Sequence, residues 1–441
     1  MTSNTRVVVI GAGLAGVRLA RRLGELGVDA VLIGEEEHSP YNRVLLAEVL
    51  AGRYAPDVIA LPTPERLTRA RVTGIDRAER LLRCADGSVI AYDTLVLATG
   101  SNPVLPPLRG LFSPDRHELP EGVHAFRTMD DCLGLSKAVR QGTRAVVIGG
   151  GLLGVSAARA LAARGAQVVL AQQGERLMER QLDPSASGLV LRHLKDLGVE
   201  VHTECRVRDV RCVGGAVRSV EMADGYALDA DLVVLACGVH PRVGLAQDAG
   251  LAVHKGIIVD DELRTSDPHI RAIGDCAQHD GTVYGLAAPA LEQADVLAEL
   301  LAGTGTGTAS GAGTGSGTAS GSEQGSESDS GSGSGSASGE VTTGYTGTRA
   351  LTRLTLASGS PLDLAAFGEH TPLPGDDVIQ LADATRGTYR KVVVRDDRLV
   401  GGVLVGELGT VGALARAWEG AEPLPTDGAP LLHLLTNDGG S

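Results

Sequence analysis

Apolar residues in the first part of the chain follow the order strand, glycine-rich turn, helix, strand. An apolar run at residues 6–10 leads into the motif GAGLAG at residues 11–16, and positions with helical spacing continue through residues 17–26. A second short apolar run occupies residues 30–33. This pattern predicts a βαβ unit whose first turn is a GxGxxG motif.

The three motif glycines have separate roles in a dinucleotide-binding turn. Gly11 permits the tight turn, Gly13 lets backbone N–H groups approach a pyrophosphate, and Gly16 allows close packing of helix on strand. The positive end of the helix dipole then faces the phosphates. Glu35 follows the second strand, 24 positions after Gly11, where a carboxylate can accept hydrogen bonds from an adenosine ribose.

The same order of elements returns in the middle of the chain. An apolar run at residues 145–148 enters the motif GGGLLG at residues 149–154, and a helical pattern and a further apolar run at residues 167–171 follow. The motif glycines are Gly149, Gly151 and Gly154. The sequence therefore predicts a second dinucleotide-binding unit.

The two copies also end alike. Gly100 follows Gly11 by 89 positions, and Gly238 follows Gly149 by 89 positions, in each case just after an apolar run. An Asp-Gly step, which is a hairpin signal, precedes each of those runs. We therefore expect each parallel sheet to carry a small antiparallel piece.

The pattern changes after residue 302. Residues 303–339 are all Gly, Thr, Ser, Ala, Glu, Gln or Asp and cannot bury apolar surface, so we predict a disordered linker over 303–345. Short strand-like runs then predict an α+β domain at 346–422, with Trp418 in its core or an interface, and a tail at 423–441. The predicted elements are strands at 351–356, 378–381, 389–394 and 399–405, a hairpin turn at 396–397 and a helix at 411–418.

The fold class is therefore α/β, with two Rossmann-like three-layer domains and a small C-terminal α+β domain. We expect the first dinucleotide-binding domain to be discontinuous, at residues 1–115 and 245–302, with the second inserted at residues 116–244.

Composition narrows the function classes. The net charge of -14 and the 2% of aromatic residues disfavour binding to nucleic acid or to an anionic membrane. The N-terminus shows no signal-peptide pattern and no segment has about 20 uncharged apolar residues, so we expect a cytoplasmic protein. The six cysteines form neither a CxxC pair nor a metal-ligand cluster, so we expect free thiols and no metal site.

The paired glycine motifs, with ATG at residues 98–100 and IGD at residues 273–275, resemble the two-dinucleotide-binding-domain flavoproteins of the pyridine nucleotide-disulfide oxidoreductase family. In that family the first motif binds FAD and the second binds NADH or NADPH, so the resemblance implies both cofactors. It covers residues 5–302 and resumes from about residue 345 to residue 420.

Three further runs carry a closer likeness. PYNR at residues 40–43, LMERQLD at 177–183 and YGLAAP at 284–289 are similar to the FAD and NAD(P) portion of the assimilatory nitrite reductase large subunit and to rubredoxin reductase. The C-terminal unit of that family packs near the flavin and often forms a dimer contact. The resemblance therefore also implies a homodimer as one form of the protein.

The resemblance assigns residues to both cofactors. The FAD site would contain Gly11, Gly13, Gly16, Glu35, Arg43, Thr99, Gly100, Asp275 and Ala288. The nicotinamide site would contain Gly149, Gly151, Gly154, Gln172 and Gly238. Asp275 would hold the ribityl chain and Arg43 would lie beside the isoalloxazine. Ala288 would begin a segment whose helix N-terminal N–H groups face the flavin carbonyl edge.

The sequence departs from the family in three places. Residues 38–43 contain no redox cysteine, which argues against thiol relay, and no cysteine follows Cys276, so ligands for iron–sulfur and sirohaem modules are lacking. Ser156 lies two residues beyond the second glycine motif, where the family usually has a Glu. The strand end that should contact the ribose offers Gln172 and Gln173 rather than an acid, and Arg176 lies close enough in sequence to partner a 2′-phosphate.

The function that this resemblance implies is an oxidoreductase that passes electrons from NAD(P)H through FAD to an acceptor outside the chain. Hydride transfer through the flavin needs no catalytic side chain. The acceptor would be an iron–sulfur or sirohaem reductase of nitrite reduction, or a small electron carrier. Two alternatives stay open, namely a ferredoxin or rubredoxin-type reductase, and a non-catalytic sensor that binds FAD and NAD(P).

Overall fold

The computed structural model describes residues 6–112, 118–305, 344–349, 351–357, 359, 361–383, 385–420 and 435. Most of the predicted linker, and the predicted tail except Leu435, lie outside the described residues. The strands are β1 (Val7–Ile10), β2 (Ala30–Gly34), β3 (Leu67–Arg69), β4 (Val72–Asp76), β5 (Leu81–Cys84), β6 (Val89–Ala91), β7 (Thr94–Leu97), β8 (Ser101–Pro103), β9 (Val123–Ala125), β10 (Arg144–Ile148), β11 (Gln167–Ala171), β12 (Glu200–His202), β13 (Val207–Val213), β14 (Ala216–Met222), β15 (Ala227–Asp229), β16 (Leu232–Leu235), β17 (Val239–Pro241), β18 (Ile257–Val259), β19 (Ile270–Ala272), β20 (Ala277–His279), β21 (Leu351–Leu356), β22 (Leu362–Gly368), β23 (Asp377–Asp383), β24 (Thr388–Arg395) and β25 (Arg398–Val405).

The α-helices are α1 (Leu14–Glu25), α2 (Leu46–Leu50), α3 (Met129–Ala138), α4 (Leu152–Ala163), α5 (Pro184–Asp196), α6 (Gly244–Asp248), α7 (Ala287–Gly305) and α8 (Val411–Gly420). Short 3-10 helices cover Arg43–Leu45, Pro56–Ile59 and Gly274–Cys276.

Two parallel five-stranded sheets have the same strand order. The first runs β19-β7-β1-β2-β3, and the second, read in the same direction, runs β9-β16-β10-β11-β12. The central strands β1 and β10 are almost fully buried, which explains their continuous apolar runs. The predicted fold class, with two Rossmann-like units, is confirmed by this arrangement.

The first sheet is completed by a strand from far along the chain. Ile270 of β19 pairs in parallel with Leu95 of β7, after the chain has passed through the whole second sheet. Where the chain crosses between the two units, β8 and β17 pair with each other as antiparallel strands. The numerical domain boundaries given above stay a prediction.

The small antiparallel sheets form where the Asp-Gly steps predict them. Strands β5 and β6 are joined through Gly87 (φ +82°), and β14 and β15 through Gly225 (φ +92°). In the C-terminal domain, Asp396 and Asp397 both have positive φ, as a two-residue hairpin turn between β24 and β25 requires.

The C-terminal domain is an antiparallel sheet in the order β21-β22-β25-β24-β23, with α8 beside it. The strand β22 was not predicted, because its two alanines and terminal glycine lower its β propensity. Trp418 on α8 is buried against Phe367, with ring centroids 5.2 Å apart, which confirms its place in the core.

Candidate cofactor-binding site

The two glycine turns make the same backbone contacts. A Cβ built on Gly11 would lie 2.0 Å from the carbonyl oxygen of Ala98, and one on Gly149 would lie 2.4 Å from that of Ala236. The third motif glycines are also alike. A Cβ built on Gly16 would lie 1.9 Å from the carbonyl oxygen of Gly11, and one built on Gly154 would lie 1.8 Å from that of Gly149. The helix can approach the strand only because these side chains are absent.

The middle glycine of each motif faces open space. Gly13 is the N-cap of α1 and Gly151 is the N-cap of α4, and a Cβ built on either would meet no heavy atom within 4 Å. Unpaired N–H groups at a helix N-terminus attract anions. Both turns therefore have the geometry of a pyrophosphate cradle.

The first turn opens into a cavity of about 1000 Å³, which lies at the carboxyl ends of β1, β2 and β7. This is large enough for an extended dinucleotide and lies at the edge where parallel sheets bind ligands. Of the residues predicted for the FAD site, the cavity is lined by Gly11, Gly13, Glu35, Arg43, Thr99 and Gly100.

Three predicted FAD-site residues lie behind or beside the cavity. Gly16 packs α1 against the turn. Asp275 is in the 3-10 helix Gly274–Cys276, and Ala288 is exposed in the first turn of α7. The backbone N of Gly274 donates to Oε1 of Gln293 on α7 at 2.7 Å, so Asp275 and α7 are held together.

Glu35 lies at one end of the cavity among arginines. Its carboxylate pairs with Arg242 and, at 3.8 Å, with Arg71. Nε of Arg242 also donates to Oδ1 of Asn102 at 2.7 Å. The backbone of Arg242 is fixed as well, because its N–H donates to the oxygen of Gly100 and its carbonyl accepts from Oγ1 of Thr99.

Arg43 is held by a polar network on the wall of the cavity. Its guanidinium pairs with Glu36, and Nη1 donates to Tyr41 OH at 2.9 Å and to the carbonyl oxygen of Arg127 at 3.1 Å. Tyr41 OH donates to Glu36 at 2.8 Å and accepts from the backbone N of Met129 at 2.8 Å. Burial raises the pKa of Tyr41, which keeps its phenol protonated as a donor.

Asp275 is bound by two side chains of the same wall. Its Oδ2 accepts from Oγ of Ser101 at 2.8 Å and from Nη2 of Arg127 at 2.8 Å. Arg127 also lines the cavity, so the Asp275 carboxylate and the cavity are joined through this guanidinium. Asp275 thus has one carboxylate oxygen engaged by a cation and a hydroxyl.

In the second unit, Gln172 is used within the glycine turn. Its Oε1 accepts from the backbone N of Gly150 at 2.7 Å. Gly238 has a positive φ of 98° at the end of the second sheet, as Gly100 has 72° at the end of the first. Ser156 is buried on α4, and its hydroxyl donates to the carbonyl oxygen of Leu152 at 2.8 Å, so it is satisfied within the helix.

Residues 5–294 match the family model of the pyridine nucleotide-disulphide oxidoreductases. The chain belongs to this family. Residues 358–419 match the rubredoxin NAD+ reductase C-terminal domain. The predicted family, and its likeness to rubredoxin reductase in the C-terminal part, are confirmed.

The chain is also similar to individual named reductases. It is 32% identical to an assimilatory nitrate reductase electron transfer subunit of Bacillus subtilis, over 91% of this chain and 48% of that protein. It is also 32% identical to a nitrite reductase [NAD(P)H] of the same organism, over 91% of this chain and 46% of that protein. The chain thus spans about half the length of these curated relatives. The crystal structure of a ferredoxin reductase from Rhodopseudomonas palustris has a TM-score of 0.73 and 28% identity, covering 91% of each chain.

The predicted likeness to nitrite reductase is therefore confirmed, and the chain belongs to a family of oxidoreductases that uses FAD and NAD(P)H. All six cysteines are free thiols in the structure, and three of them, Cys84, Cys132 and Cys276, are buried. Within the described residues no cluster of His, Cys, Asp and Glu could hold a metal ion, and no helix there is both long and apolar enough to cross a membrane.

Among the cavity residues that sequence reasoning missed are two arginines. Arg127 follows the short strand β9, and Arg242 follows β17, both outside the glycine motifs. Their only sequence signal is a position just after a short strand that ends near the cavity. The pairing of β8 with β17, which brings Arg242 to Glu35, joins residues too far apart in the chain for local patterns to predict.

Proposed function

We propose that this chain binds FAD in the cavity at the first glycine turn and NADH or NADPH at the second, and passes electrons to a separate acceptor. The proposal depends on the repeated geometry of the two turns, with Gly13 and Gly151 both open, and on the cavity of about 1000 Å³ at the first. The residue assignments made from the sequence are part of this proposal.

When bound, FAD would supply the redox chemistry, namely hydride acceptance and one-electron release, which no side chain of the protein supplies. The residues of the chain bind and orient. Gly13 admits the pyrophosphate and Glu35 accepts from the adenosine ribose. Asp275, which Arg127 joins to the cavity wall, accepts from the ribityl hydroxyls.

Arg43 would place a fixed positive charge beside the flavin ring. Its bonds to Glu36, Tyr41 and the Arg127 carbonyl hold the guanidinium in place before the cofactor binds. Such preorganisation reduces the cost of orienting the charge during reduction. The N-terminal N–H groups of α7, near Ala288, would face the carbonyl edge of the ring.

The acceptor would be another protein. Relatives that match over most of this chain include an electron transfer subunit of nitrate reductase and a nitrite reductase about twice as long, and a similar structure is a ferredoxin reductase. An iron–sulfur or sirohaem reductase of nitrite reduction therefore fits best. A ferredoxin or rubredoxin is the second candidate, supported by the match of residues 358–419 to the rubredoxin reductase C-terminal domain.

The proposal can be tested by titrating the FAD-loaded protein anaerobically with NADH and with NADPH while the absorbance of oxidised flavin is followed. We expect stoichiometric bleaching by at least one nucleotide. A protein that stays yellow with both would support the sensor alternative instead. Addition of an oxidised ferredoxin, or of a sirohaem reductase with nitrite, would then identify the acceptor by return of the oxidised band.

Two glycine variants separate the two sites. The backbone at Gly13 and Gly151 has φ values of -86° and -77°, which alanine adopts, and an added Cβ contacts nothing. Gly151→Ala should therefore fold and retain FAD but be reduced slowly by either nucleotide. Gly13→Ala should fold but lose FAD on gel filtration. The assignment of the sites would be wrong if both variants retained FAD and wild-type reduction rates.

A further inference from the structure

The nicotinamide unit lacks an acid at the place that Glu35 occupies in the first unit. Gln173 lies 24 positions after Gly149, as Glu35 lies 24 positions after Gly11, and the two glycine turns make the same contacts. Gln173 is exposed, and its neighbour Gln172 uses its side-chain oxygen to cap Gly150. No carboxylate at the strand end is thus available for the adenosine ribose.

A carboxylate reaches this place from further along the chain. Glu179 lies in the segment between β11 and α5, and its Oε1 accepts from the backbone N of Arg176 at 2.9 Å. A Cβ built on Gly174 would lie 2.5 and 2.6 Å from the two carboxylate oxygens and 2.7 Å from Nε2 of Gln172. The carboxylate of Glu179 and the amide of Gln172 therefore border the same small space just beyond β11.

The position of this carboxylate is fixed relative to the glycine turn. The backbone N of Met178 donates to the carbonyl oxygen of Gly150 at 2.9 Å, and Leu177 packs over the same glycine. Arg176, the candidate partner for a 2′-phosphate, is already engaged, since its Nη1 donates to Oε2 of Glu175 at 2.8 Å. The positive charge of Arg176, which would attract a 2′-phosphate, is thus partly neutralised by Glu175. The negative charge of Glu179, which would repel a 2′-phosphate, is held in place.

We propose that Glu179 determines the nucleotide specificity of this chain, by accepting a hydrogen bond from the adenosine ribose of NADH and repelling the 2′-phosphate of NADPH. The inference rests on the proposed function, because it takes the second glycine turn as the nicotinamide site. The ribose hydroxyl of NADH can donate a hydrogen bond to the Glu179 carboxylate. The 2′-phosphate of NADPH cannot donate one and is negatively charged like the carboxylate. The acid comes 30 positions after Gly149, beyond the spacing of the usual motif, which is why the motif does not reveal it.

Calorimetric titration of the FAD-loaded protein with NAD+ and with NADP+ tests this inference without any turnover. We expect NAD+ to bind at least about tenfold more tightly than NADP+, a ratio of the size that one charged contact supplies. Glu179→Gln keeps an oxygen to accept from the N–H of Arg176, so it should fold and should narrow the ratio to about threefold or less.

Asp196→Asn is the matched control. Asp196 is an exposed acid at the last position of α5, a helix of 13 residues that places it about 20 Å from the segment containing Glu179. This variant removes the same charge from the same domain and should keep the wild-type ratio.

The inference is overturned if NADP+ binds as tightly as NAD+ or more tightly, if neither binds, or if Glu179→Gln leaves the ratio unchanged. A separate reduction assay distinguishes it from the proposed function. If NAD+ binds with the expected preference while NADH fails to bleach the flavin, Glu179 keeps its role and the reductase function fails.

Discussion

The guanidinium of Arg159 on α4 is paired with the carboxylate of Glu48 on α2, and only 1% of the Arg159 side chain is exposed. Nη1 of Arg159 also donates to the carbonyl oxygen of Ala357, just after β21, at 3.1 Å. Arg53 donates to the same carbonyl at 2.9 Å. The ion pair therefore lies where the two dinucleotide-binding units and the C-terminal domain meet. Burial lowers the pKa of Arg159 although Glu48 raises it, which shows how strongly the charge is desolvated.

Glu48→Gln should destabilise the protein by about 3–5 kcal/mol, because it removes the carboxylate that pairs with the buried Arg159 guanidinium. Urea unfolding measures this change. The matched control is Glu25→Gln, which breaks exposed ion pairs with Arg21 and Arg22 and should cost less than about 1 kcal/mol. Equal stabilities of the two variants would show that the buried pair is not needed to join the domains.

This junction shows what the sequence could and could not predict. The two βαβ units follow from glycine spacing and apolar periodicity, because both are local in the chain, and the structure has both. The contact of Arg159 with Glu48 joins residues 111 positions apart, and nothing near either residue signals it. The same holds for Arg242 and Glu35, which are 207 positions apart. Local patterns thus predicted the cradle, whereas the arginines around it required the tertiary fold.

Arg43→Ala should weaken FAD retention or slow flavin reduction, since it removes a cation held on the wall of the cavity. Charge-assisted hydrogen bonds of this kind contribute about 1.5–3 kcal/mol, so an effect of about tenfold or more is expected. Measurement of the FAD dissociation constant and of the reduction rate tests it. Arg83→Ala, an exposed arginine on β5, is the control. Unchanged behaviour of Arg43→Ala in both assays would remove Arg43 from the flavin site.

Arg242→Met should weaken FAD binding by about tenfold, again on the scale of one charge-assisted bond. The Arg242 guanidinium links Glu35 to Asn102 at the end of the cavity. Its loss would therefore remove a contact that holds the Glu35 carboxylate in position to bind the ribose. Arg71→Met removes a cation that lies 3.8 Å from Glu35 and is mostly exposed, and it should have a smaller effect. An effect of Arg71→Met equal to that of Arg242→Met would mean that only the overall positive charge matters.

Asp183 joins the second dinucleotide-binding unit to the C-terminal domain. As N-cap of α5 it accepts from the backbone N of Ala186, and it also accepts from Tyr389 OH at 2.6 Å and pairs with Nζ of Lys391 at 3.2 Å. Burial would raise the pKa of Asp183, but these three donors outweigh it, so the pKa is lowered from its ordinary value of 3.8. The ionised carboxylate is therefore the form that stabilises the fold.

The stabilisation by Asp183 should be complete above pH 3.8 and should disappear as the pH falls below 3.8 through the lowered pKa of the folded state. Asp183→Asn should lower stability at neutral pH by about 3 kcal/mol, since Lys391 stays buried without its partner. The variant should also lose less stability than the wild type on acidification through this window. Urea unfolding at a series of pH values measures both effects, with Asp196→Asn, an exposed acid at the end of α5, as control. Burial lowers the pKa of His370 below its ordinary value of 6.5, and the Asp183 carboxylate raises it, so Asp183→Asn should also lower the pKa of His370 further. Parallel stability curves for wild type and Asp183→Asn below pH 3.8 would contradict this role of the carboxylate.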